Sequence, residues 1–295
     1  MFSSISIYNI IRYQIFQIPK VVFLLISSTS SFRRIKDYLV AQEINQDSIS
    51  YHKLDGDSNF RSENSSEHSS EFINCMESDS GDTLNFKRSS ITVSDAIFWW
   101  KYDPSSSSPT LNNISFSAKQ GELMAVAGIT GAGKSSLLIS LLGEMYKSKG
   151  TIQINGKIAY TSQQPWLLNS TILENVTFGN KIDHDFFQKV IRACGLEDDL
   201  KSFADGELTV VGENGSKLSG GQRARVSIAR AVYSRADLYL FDDPLAALDS
   251  KMAYSLFDKV FGQNGILKNR TRIITTNNVS FLNRFDSVIV LQDGN

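Results

Sequence analysis

Residues 128–135, which read GITGAGKS, constrain the fold of this chain more than any other stretch. They fit the pattern G-x4-G-K-[ST], in which the backbone N–H groups of a glycine-rich loop converge on phosphate oxygens. The loop follows an apolar segment typical of a strand, LMAVA, and precedes a segment with helical periodicity, KSSLLISLLGEMY. The sequence therefore predicts a strand–loop–helix unit in which the helix N-terminus faces a phosphate group.

The side chains of this loop are candidates for holding a nucleotide phosphate chain. Lys134 is expected to neutralise charge on the β- and γ-phosphates, and the Ser135 hydroxyl is expected to bind Mg²⁺. An ordinary glycine-rich turn is the alternative, which the flanking strand and helix disfavour. The other candidates for phosphate contacts are Gly128, Thr130, Gly131, Gly133 and Ser136.

A further candidate residue lies at the end of an apolar segment, LYLFDD, at residues 238–243. A buried strand that ends in an acid is common in proteins and does not by itself indicate a magnesium ligand. In a chain that also has the phosphate loop, it is typical of the aspartate that anchors Mg²⁺ in nucleotide hydrolases. Asp242 is therefore predicted to be a ligand of this ion.

A third motif, LSGGQ at residues 218–222, precedes a predicted helix, RARVSIARAVYS. Two glycines after a serine at a helix start form a second terminus at which an anion could bind. One chain rarely needs two such sites for one nucleotide. The motif is therefore either a helix cap or a site for the nucleotide of another domain.

Strands and helices are predicted to alternate from residue 91 to residue 295, which is typical of an α/β fold with a largely parallel, buried sheet. Helices dominate residues 171–203, whereas Asn155 and Gly156 separate two short strand-like segments and predict a β-hairpin. Lys and Arg number 30 and Asp and Glu 31, so the net charge of −1 argues against a polybasic nucleic-acid-binding protein. Two cysteines exclude a disulfide scaffold, and three histidines leave little room for a histidine-based metal site.

Residues 1–32 carry two charges, Arg12 and Lys20, and no acid. Three interpretations are open: a transmembrane helix whose basic side chains face a polar interior, a buried helix of a soluble protein, and a signal peptide. Residues 46–90 are rich in Ser and acidic side chains and poor in large apolar ones, which predicts a disordered linker. Within it, residues 87–90 are either a kinase site or an unmodified solvated stretch.

The motifs GITGAGKS, LSGGQ and LYLFDDP, in this order and spacing, resemble those of the nucleotide-binding domain of an ABC transporter. The resemblance spans residues 91–295 and implies an α/β P-loop NTPase fold with a mixed sheet core, an antiparallel β subdomain and a helical subdomain. It also implies ATP and Mg²⁺ as ligands, a second nucleotide-binding domain as partner, and no nucleic acid. Soluble relatives in DNA repair or translation are a further class, which the apolar N-terminal segment disfavours.

The resemblance implies roles for further residues. Trp100 lies where the family stacks an aromatic ring on adenine; the alternative is core packing, a part that suits Trp99 beside it. Gln163 lies in a loop that contacts Mg²⁺ and couples to the transmembrane domain, and Asp249 matches a loop that crosses the dimer interface. The signature segment, which caps the ATP of the partner domain, matches Leu218, Ser219, Gly220, Gly221 and Gln222.

The segments SQQPWLLNSTILENVTFG and RARVSIARAVYSRADLYLFDDPLAALD resemble the C subfamily, the multidrug-resistance-associated proteins, in the first of their two nucleotide-binding domains. Near the N-terminus, IYNIIRYQIFQIP resembles the last helix of the first core transmembrane domain. The resemblance implies the end of a transmembrane domain at 1–45, a linker at 46–90 and a nucleotide-binding domain at 91–295. It also implies a membrane location with this domain on the cytoplasmic side. Finally, it implies that the given sequence is a fragment or comes from an incomplete gene model.

Two positions depart from the family pattern. Asp243 stands where active sites of the family place a glutamate that positions or deprotonates the attacking water, and it is one methylene shorter. Asn277 stands where the family has a histidine that contacts the γ-phosphate, and an amide carries no positive charge.

With Asp243, Gln163 and Asn277 as its catalytic candidates, the chain's own site is expected to bind ATP and hydrolyse it slowly. Its signature segment is expected to complete a faster site on the partner domain of an exporter. The alternative is an ATP-sensing regulatory or gating module without significant hydrolysis.

Overall fold

The computed structural model describes residues 2–40, 49–52, 89–101 and 108–295. The chain divides into two units, Met1–Ile44 and Asn45–Asn295. The linker predicted at 46–90 lies outside the described residues except at its two ends, so its disorder stays a prediction.

The described residues of the N-terminal unit form one helix, α1 (Phe2–Leu39), which runs through Pro19. The prediction of a helix at the N-terminus is confirmed. Among the described residues, no helix has both the length and the apolarity that a membrane crossing requires. The spanning character expected of α1 stays a prediction.

The second unit contains both strands and helices, as the alternation of patterns predicts. Its described strands are β1 (Ser50–His52), β2 (Ser89–Trp99), β3 (Leu111–Lys119), β4 (Leu123–Ala127), β5 (Tyr146–Asn155), β6 (Ile158–Thr161), β7 (Leu238–Asp242), β8 (Thr271–Thr276) and β9 (Ser287–Val290). Its α-helices are α2 (Lys134–Leu141), α3 (Ile172–Thr177), α4 (His184–Ala193), α5 (Glu197–Ser202), α6 (Gly220–Tyr233) and α7 (Ser250–Leu256). Shorter helical turns lie at Gly206–Leu208, Glu213–Gly215, Phe257–Phe261 and Val279–Arg284.

Five strands form a parallel sheet in the order β6-β7-β8-β4-β9. Every residue of β7 and β8 is buried, as expected for strands of a parallel sheet that is covered on both faces. Because parallel strands point the same way, the loops that leave β4, β7 and β8 meet at one edge of the sheet.

Four strands form a second sheet in the order β1-β5-β2-β3. In it β2 pairs antiparallel with β3 and β5, whereas the short β1 pairs parallel with β5. One hydrophobic cluster includes residues of both sheets together with Leu137, Leu138 and Leu141 of α2. A second cluster includes residues of α3, α4 and α6 together with the other face of the parallel sheet.

The β-hairpin predicted at Asn155 and Gly156 is wrong. Gly156 does turn the chain, with φ of +99°, and a Cβ there would lie 2.6 Å from the Cβ of Asp237. The turn, however, leads from β5 in one sheet to β6 in the other, where β6 pairs in parallel with β7. A turn signal fixes a change of direction and does not determine which strands pair.

The helix predicted over residues 134–146 is shorter than its pattern suggests. It ends at Leu141, and Tyr146 already begins β5. Gly143 follows with φ of +80°, the left-handed conformation that commonly ends a helix. By contrast, the prediction that residues 171–203 are mostly helical agrees with α3, α4 and α5.

Candidate functional site

The loop between β4 and α2 depends on its glycines, two of which have strongly left-handed conformations. Gly131 and Gly133 have φ of +89° and +100°, conformations that L side chains rarely adopt. A Cβ at Gly133 would also lie 2.9 Å from Cδ2 of Leu111, so a side chain at this position would force Leu111 to move. The space beside Gly131 is open, which leaves the mouth of the loop accessible to a ligand.

Lys134, the first residue of α2, bends back over this loop. Its Nζ donates hydrogen bonds to the carbonyl oxygens of Gly128 and Ile129, at 2.8 and 2.9 Å. The side chain is buried, so its charge is held at the loop. A cation next to the N-terminus of a helix gives this edge of the sheet a positive potential that suits a phosphate.

Two acids lie at the neighbouring strand end. Asp242, the last residue of β7, is buried, and Asp243 has φ of 43°, a left-handed conformation that Asp tolerates better than most residues. On β8, the Thr275 hydroxyl donates a hydrogen bond to Asp242 Oδ1 (2.7 Å) and accepts one from the Asp243 backbone N–H (2.8 Å). Asn277 Nδ2 donates a hydrogen bond to Asp243 Oδ2 at 3.2 Å.

The surroundings of Asp243 raise the pKa of its carboxyl above the ordinary value. Burial is the main cause, and the charge of Asp242 adds to it. The hydrogen bond from Asn277 and the charge of Lys134 oppose the shift. A raised carboxyl pKa means a carboxylate that accepts a proton more readily, which is the property required of a general base.

These residues line one cleft of about 220 Å³. It brings together the phosphate loop, Gln163 and the ends of β7 and β8, which lie far apart in the sequence. Gly128 and Trp100 are predicted site residues that do not line it. The lining residues are Thr130, Gly131, Gly133, Lys134, Ser135, Ser136, Gln163, Asp242, Asp243, Thr275 and Asn277.

The cleft offers oxygen ligands of the kind that Mg²⁺ prefers. They are the Ser135 hydroxyl, the Gln163 amide oxygen and the Asp242 carboxylate, all of which line the cleft. Thr275 engages one oxygen of Asp242, so the carboxylate has a second oxygen for a cation. No group of three or more His, Cys, Asp or Glu among the described residues could hold a metal. The oxygen donors that line the cleft fit Mg²⁺ bound together with a phosphate.

Residues 111–246 match a protein family described as ABC transporter. This range includes the phosphate loop, the LSGGQ motif and both Asp242 and Asp243. The chain contains an ABC transporter nucleotide-binding domain.

The whole chain is similar to members of the C subfamily. Metal resistance protein YCF1 of Saccharomyces cerevisiae is 37% identical over 294 residues, which are 100% of this chain and 18% of the yeast protein. ATP-binding cassette sub-family C member 3 of Homo sapiens is 38% identical over 293 residues, 99% of this chain and 17% of the human protein. The vacuolar heme ABC transmembrane exporter abc3 of Schizosaccharomyces pombe is 36% identical over 294 residues, 100% and 18% of the two chains.

The predicted resemblance to the multidrug-resistance-associated subfamily is thus confirmed. The chain spans less than a fifth of the length of each of these relatives.

The two tryptophans at the end of β2 have different surroundings in the ABC domain. Trp99 is buried, and its Nε1 donates a hydrogen bond to Ser148 Oγ at 3.0 Å. Trp100 is 57% exposed, and its Nε1 donates a hydrogen bond to Ser136 Oγ at 3.2 Å. Since Ser136 lies in the first turn of α2 and lines the cleft, the exposed indole ring is next to the phosphate loop.

The signature segment of the ABC domain forms the N-terminus of α6. The Ser219 hydroxyl accepts a hydrogen bond from the Gln222 backbone N–H, and the Gln222 side chain accepts one from the Ser219 backbone N–H. This is a capping box, so the motif is a helix cap, one of the two alternatives that the sequence left open. Ser219 and Gly220 are exposed, whereas Leu218 is buried.

None of residues 218–222 lines the phosphate-loop cleft. A role of this segment at the nucleotide of another domain stays a prediction. Asp249, the predicted interface residue, is the N-cap of α7, and its side chain accepts a hydrogen bond from the Met252 backbone N–H at 3.0 Å.

Two polar residues that support these motifs were not predicted from the sequence. Thr275 is fully buried and contacts both acids; in the sequence it is one of three threonines in β8, and nothing there marked it out. Asp199 of α5 accepts hydrogen bonds from Gln222 Nε2 (2.8 Å) and Arg225 Nη1 (2.6 Å). No sequence signal pointed to Asp199, because it lies 23 residues before its partner Gln222.

Proposed function

We propose that the cleft binds Mg-ATP, with the triphosphate on the loop before α2 and the adenine ring against Trp100. The observation that carries this proposal is that the loop, Gln163, Asp242, Asp243 and Asn277 line a single cleft. Lys134 would neutralise phosphate charge, and the N–H groups of the loop and of the first turn of α2 would donate hydrogen bonds to phosphate oxygens.

Ser135, Gln163 and Asp242 are the residues that would hold Mg²⁺. When bound, the ion neutralises charge on the β- and γ-phosphates. The chain's own part is to bring these three oxygen donors and Lys134 together in one cleft.

Substitution of Lys134 tests this proposal. Lys134→Ala removes the positive charge at the loop, so we expect the affinity of the full chain for Mg-ATP to fall at least about tenfold, equivalent to about 1.4 kcal/mol. Isothermal calorimetry measures the affinity. Lys149→Ala is the matched control, because Lys149 is an exposed lysine on β5 outside the cleft. Equal affinities in the wild type and Lys134→Ala would exclude the phosphate-loop assignment.

The proposed site is a slow one. Asp243 has a shorter side chain than the glutamate that the family resemblance implies, so its carboxylate reaches less far toward a water in line with the γ-phosphate. Its Oδ2 also accepts the hydrogen bond from Asn277. Fast hydrolysis would take place at a second site, where the exposed Ser219 and Gly220 would cap ATP held by another nucleotide-binding domain.

An exporter also needs contact with transmembrane domains. Trp166 and Phe178 are 49% and 45% exposed, and their rings meet edge to face at 5.6 Å. The Arg230 guanidinium lies over both rings, at 4.3 and 4.8 Å from their centroids. An exposed aromatic pair close in sequence to Gln163 supports a docking surface for a transmembrane domain, with ATP binding at Gln163 coupled to that contact.

The same proposal assigns each segment of this chain to a part of a full exporter. Residues 1–45 would be the end of a transmembrane domain, 46–90 a linker, and 91–295 the nucleotide-binding domain on the cytoplasmic side of a membrane. The names of the relatives support transport: one is called a transmembrane exporter and another a metal resistance protein. The exposed apolar side chains of α1, among them Phe23 and Leu25, are consistent with contacts to other helices or to lipid.

A regulatory module that binds ATP without significant hydrolysis is the second candidate. The hydrogen bond between Asn277 and Asp243 favours it, because it occupies the carboxylate that would activate water. The two candidates differ in whether the site turns over at all.

Single-turnover hydrolysis separates the slow ATPase from the regulatory module. The chain is assembled with a complementary nucleotide-binding domain whose own site is inactivated. In the slow ATPase, the double variant Asp243→Glu with Asn277→His raises turnover at least about tenfold, about 1.4 kcal/mol of barrier. A fast rate in the unmodified chain would contradict a slow site. No gain in the double variant would show that these two residues do not limit the rate.

A further inference from the structure

Thr275 lies directly opposite Asp242 in the pairing of β7 with β8. It is fully buried, and the two residues before it, Ile273 and Ile274, are buried as well. A hydroxyl in such surroundings costs free energy unless its hydrogen bonds are made. A valine of the same shape would bring no hydroxyl whose hydrogen bonds must be made, so the hydroxyl group itself requires an explanation.

Both hydrogen-bonding functions of this hydroxyl are used at the predicted magnesium site. Its proton is donated to Asp242 Oδ1 at 2.7 Å, and its oxygen accepts the backbone N–H of Asp243 at 2.8 Å. The donated proton requires Oδ1 to be an acceptor and fixes the plane of the carboxylate. The accepted N–H holds the backbone of Asp243 at its left-handed φ of 43°.

We propose that Thr275 is a positioning residue for the magnesium site: its hydroxyl orients the Asp242 carboxylate toward Mg²⁺ and fixes the backbone from which Asp243 projects. The inference rests on the proposed binding of Mg-ATP. Thr275 itself would not ligate the ion. It acts through Asp242, in the way that a hydrogen-bonded neighbour orients a metal ligand, and loss of such a neighbour commonly weakens metal binding about 10- to 100-fold.

Thr271 on the same strand provides a matched comparison. It is also fully buried, and its hydroxyl also both accepts and donates, from the Gly121 N–H at 3.1 Å and to the Lys119 carbonyl at 3.2 Å. It lies at the opposite end of β8 and does not line the cleft. A purely structural role of a buried threonine should therefore appear equally at Thr271 and at Thr275.

The test measures the affinity of the full chain for ATP by calorimetry, once with Mg²⁺ and once with EDTA. The ratio of the two affinities reports the contribution of the metal. We expect Thr275→Val to lower this ratio at least about tenfold and to leave the affinity in EDTA close to that of the wild type. Thr275→Ser keeps the hydroxyl and should preserve the ratio. Thr271→Val should preserve it as well.

Two results would overturn the inference. In the first, Thr275→Val has the same ratio of ATP affinities with Mg²⁺ and with EDTA as the wild type. In the second, Thr271→Val lowers this ratio as much as Thr275→Val does. If Thr275→Val does not fold, Thr275→Cys replaces the hydroxyl by a thiol of similar size that donates only weakly, and the same two criteria apply to it. A wild-type chain that binds no ATP would instead refute the proposed function, so the two failures are distinguishable.

Discussion

Trp99 and Trp100 are identical neighbours with opposite surroundings. Trp99 is 8% exposed and Trp100 is 57% exposed. β2 ends at Trp99, whose ring enters the core, whereas the exposed Trp100 ring lies beside the phosphate loop, where its Nε1 donates a hydrogen bond to Ser136 Oγ. A substitution of Trp99 should therefore affect the free energy of unfolding, whereas a substitution of Trp100 should affect the affinity for ATP.

We expect Trp99→Ala to destabilise the fold by about 3–5 kcal/mol, the usual cost of truncating a buried aromatic side chain. Trp100→Ala should change the free energy of unfolding by less than about 1 kcal/mol, because the ring is exposed. It should weaken ATP binding at least about fivefold, since stacking on a base contributes about 1–3 kcal/mol. Urea denaturation and calorimetry measure the two effects. A large loss of stability in Trp100→Ala with unchanged ATP affinity would assign this ring to the core.

The sequence was informative about which residues lie in the cleft and less so about their contacts. Asp242, Asp243 and Asn277 were predicted from motif positions, and the structure brings them together. The hydrogen bond of Asn277 to Asp243 and both bonds of Thr275 were not predicted. Such contacts depend on which strand lies beside β7, and the local pattern of a buried strand does not contain that information.

The junction of α5 and α6 holds the signature segment in place. Asp199 is 17% exposed at its side chain and bonds to both Gln222 and Arg225. Arg225 Nη1 also donates a hydrogen bond to the Gly195 carbonyl, and its Nε donates one to Gly221 at 3.3 Å. The first turn of α6 is thus attached to α5 by charge-assisted bonds.

We expect Asp199→Ala to lower the free energy of unfolding by about 3 kcal/mol, because it leaves the largely buried Arg225 without its partner. Asp198→Ala is the matched control on the same helix. Asp198 is 98% exposed and its contact with Lys201 is 3.5 Å long, so its loss should cost less than about 0.5 kcal/mol. Urea denaturation of both variants provides the comparison. Similar losses in the two would mean that the Asp199 bonds do not anchor α6.

Helices and strands were predictable where one pattern extended over several turns or residues. The apolar β7 and the amphipathic α6 are examples. The boundary between α2 and β5 was not predictable, because residues 142–146 continue an apolar pattern that suits both a helix and a strand. The hairpin error at Gly156 has a related cause: both flanking strands have the expected residues, but their partners lie in different sheets.

For the molecule as a whole, the class of fold was predictable and the order of the strands was not. Alternating patterns indicate parallel pairing, but the order β6-β7-β8-β4-β9 places β4 between β8 and β9, both of which lie more than a hundred residues after it in the chain. The resemblance to ABC domains supplied the subdomains that patterns alone did not. The yeast relatives YCF1 and abc3 are similar to this chain over its full length. This supports extending the family resemblance to the N-terminal unit.

The alternation of side chains along β7 has a consequence for how this gene can evolve. Leu238 and Leu240 belong to one hydrophobic cluster and Tyr239 and Phe241 to the other, and Asp242 follows in the same alternation. Gain or loss of a single codon within the strand would exchange the two faces and turn Asp242 away from the phosphate loop. Apolar residues in β7 can therefore replace one another over generations, whereas its length must stay constant.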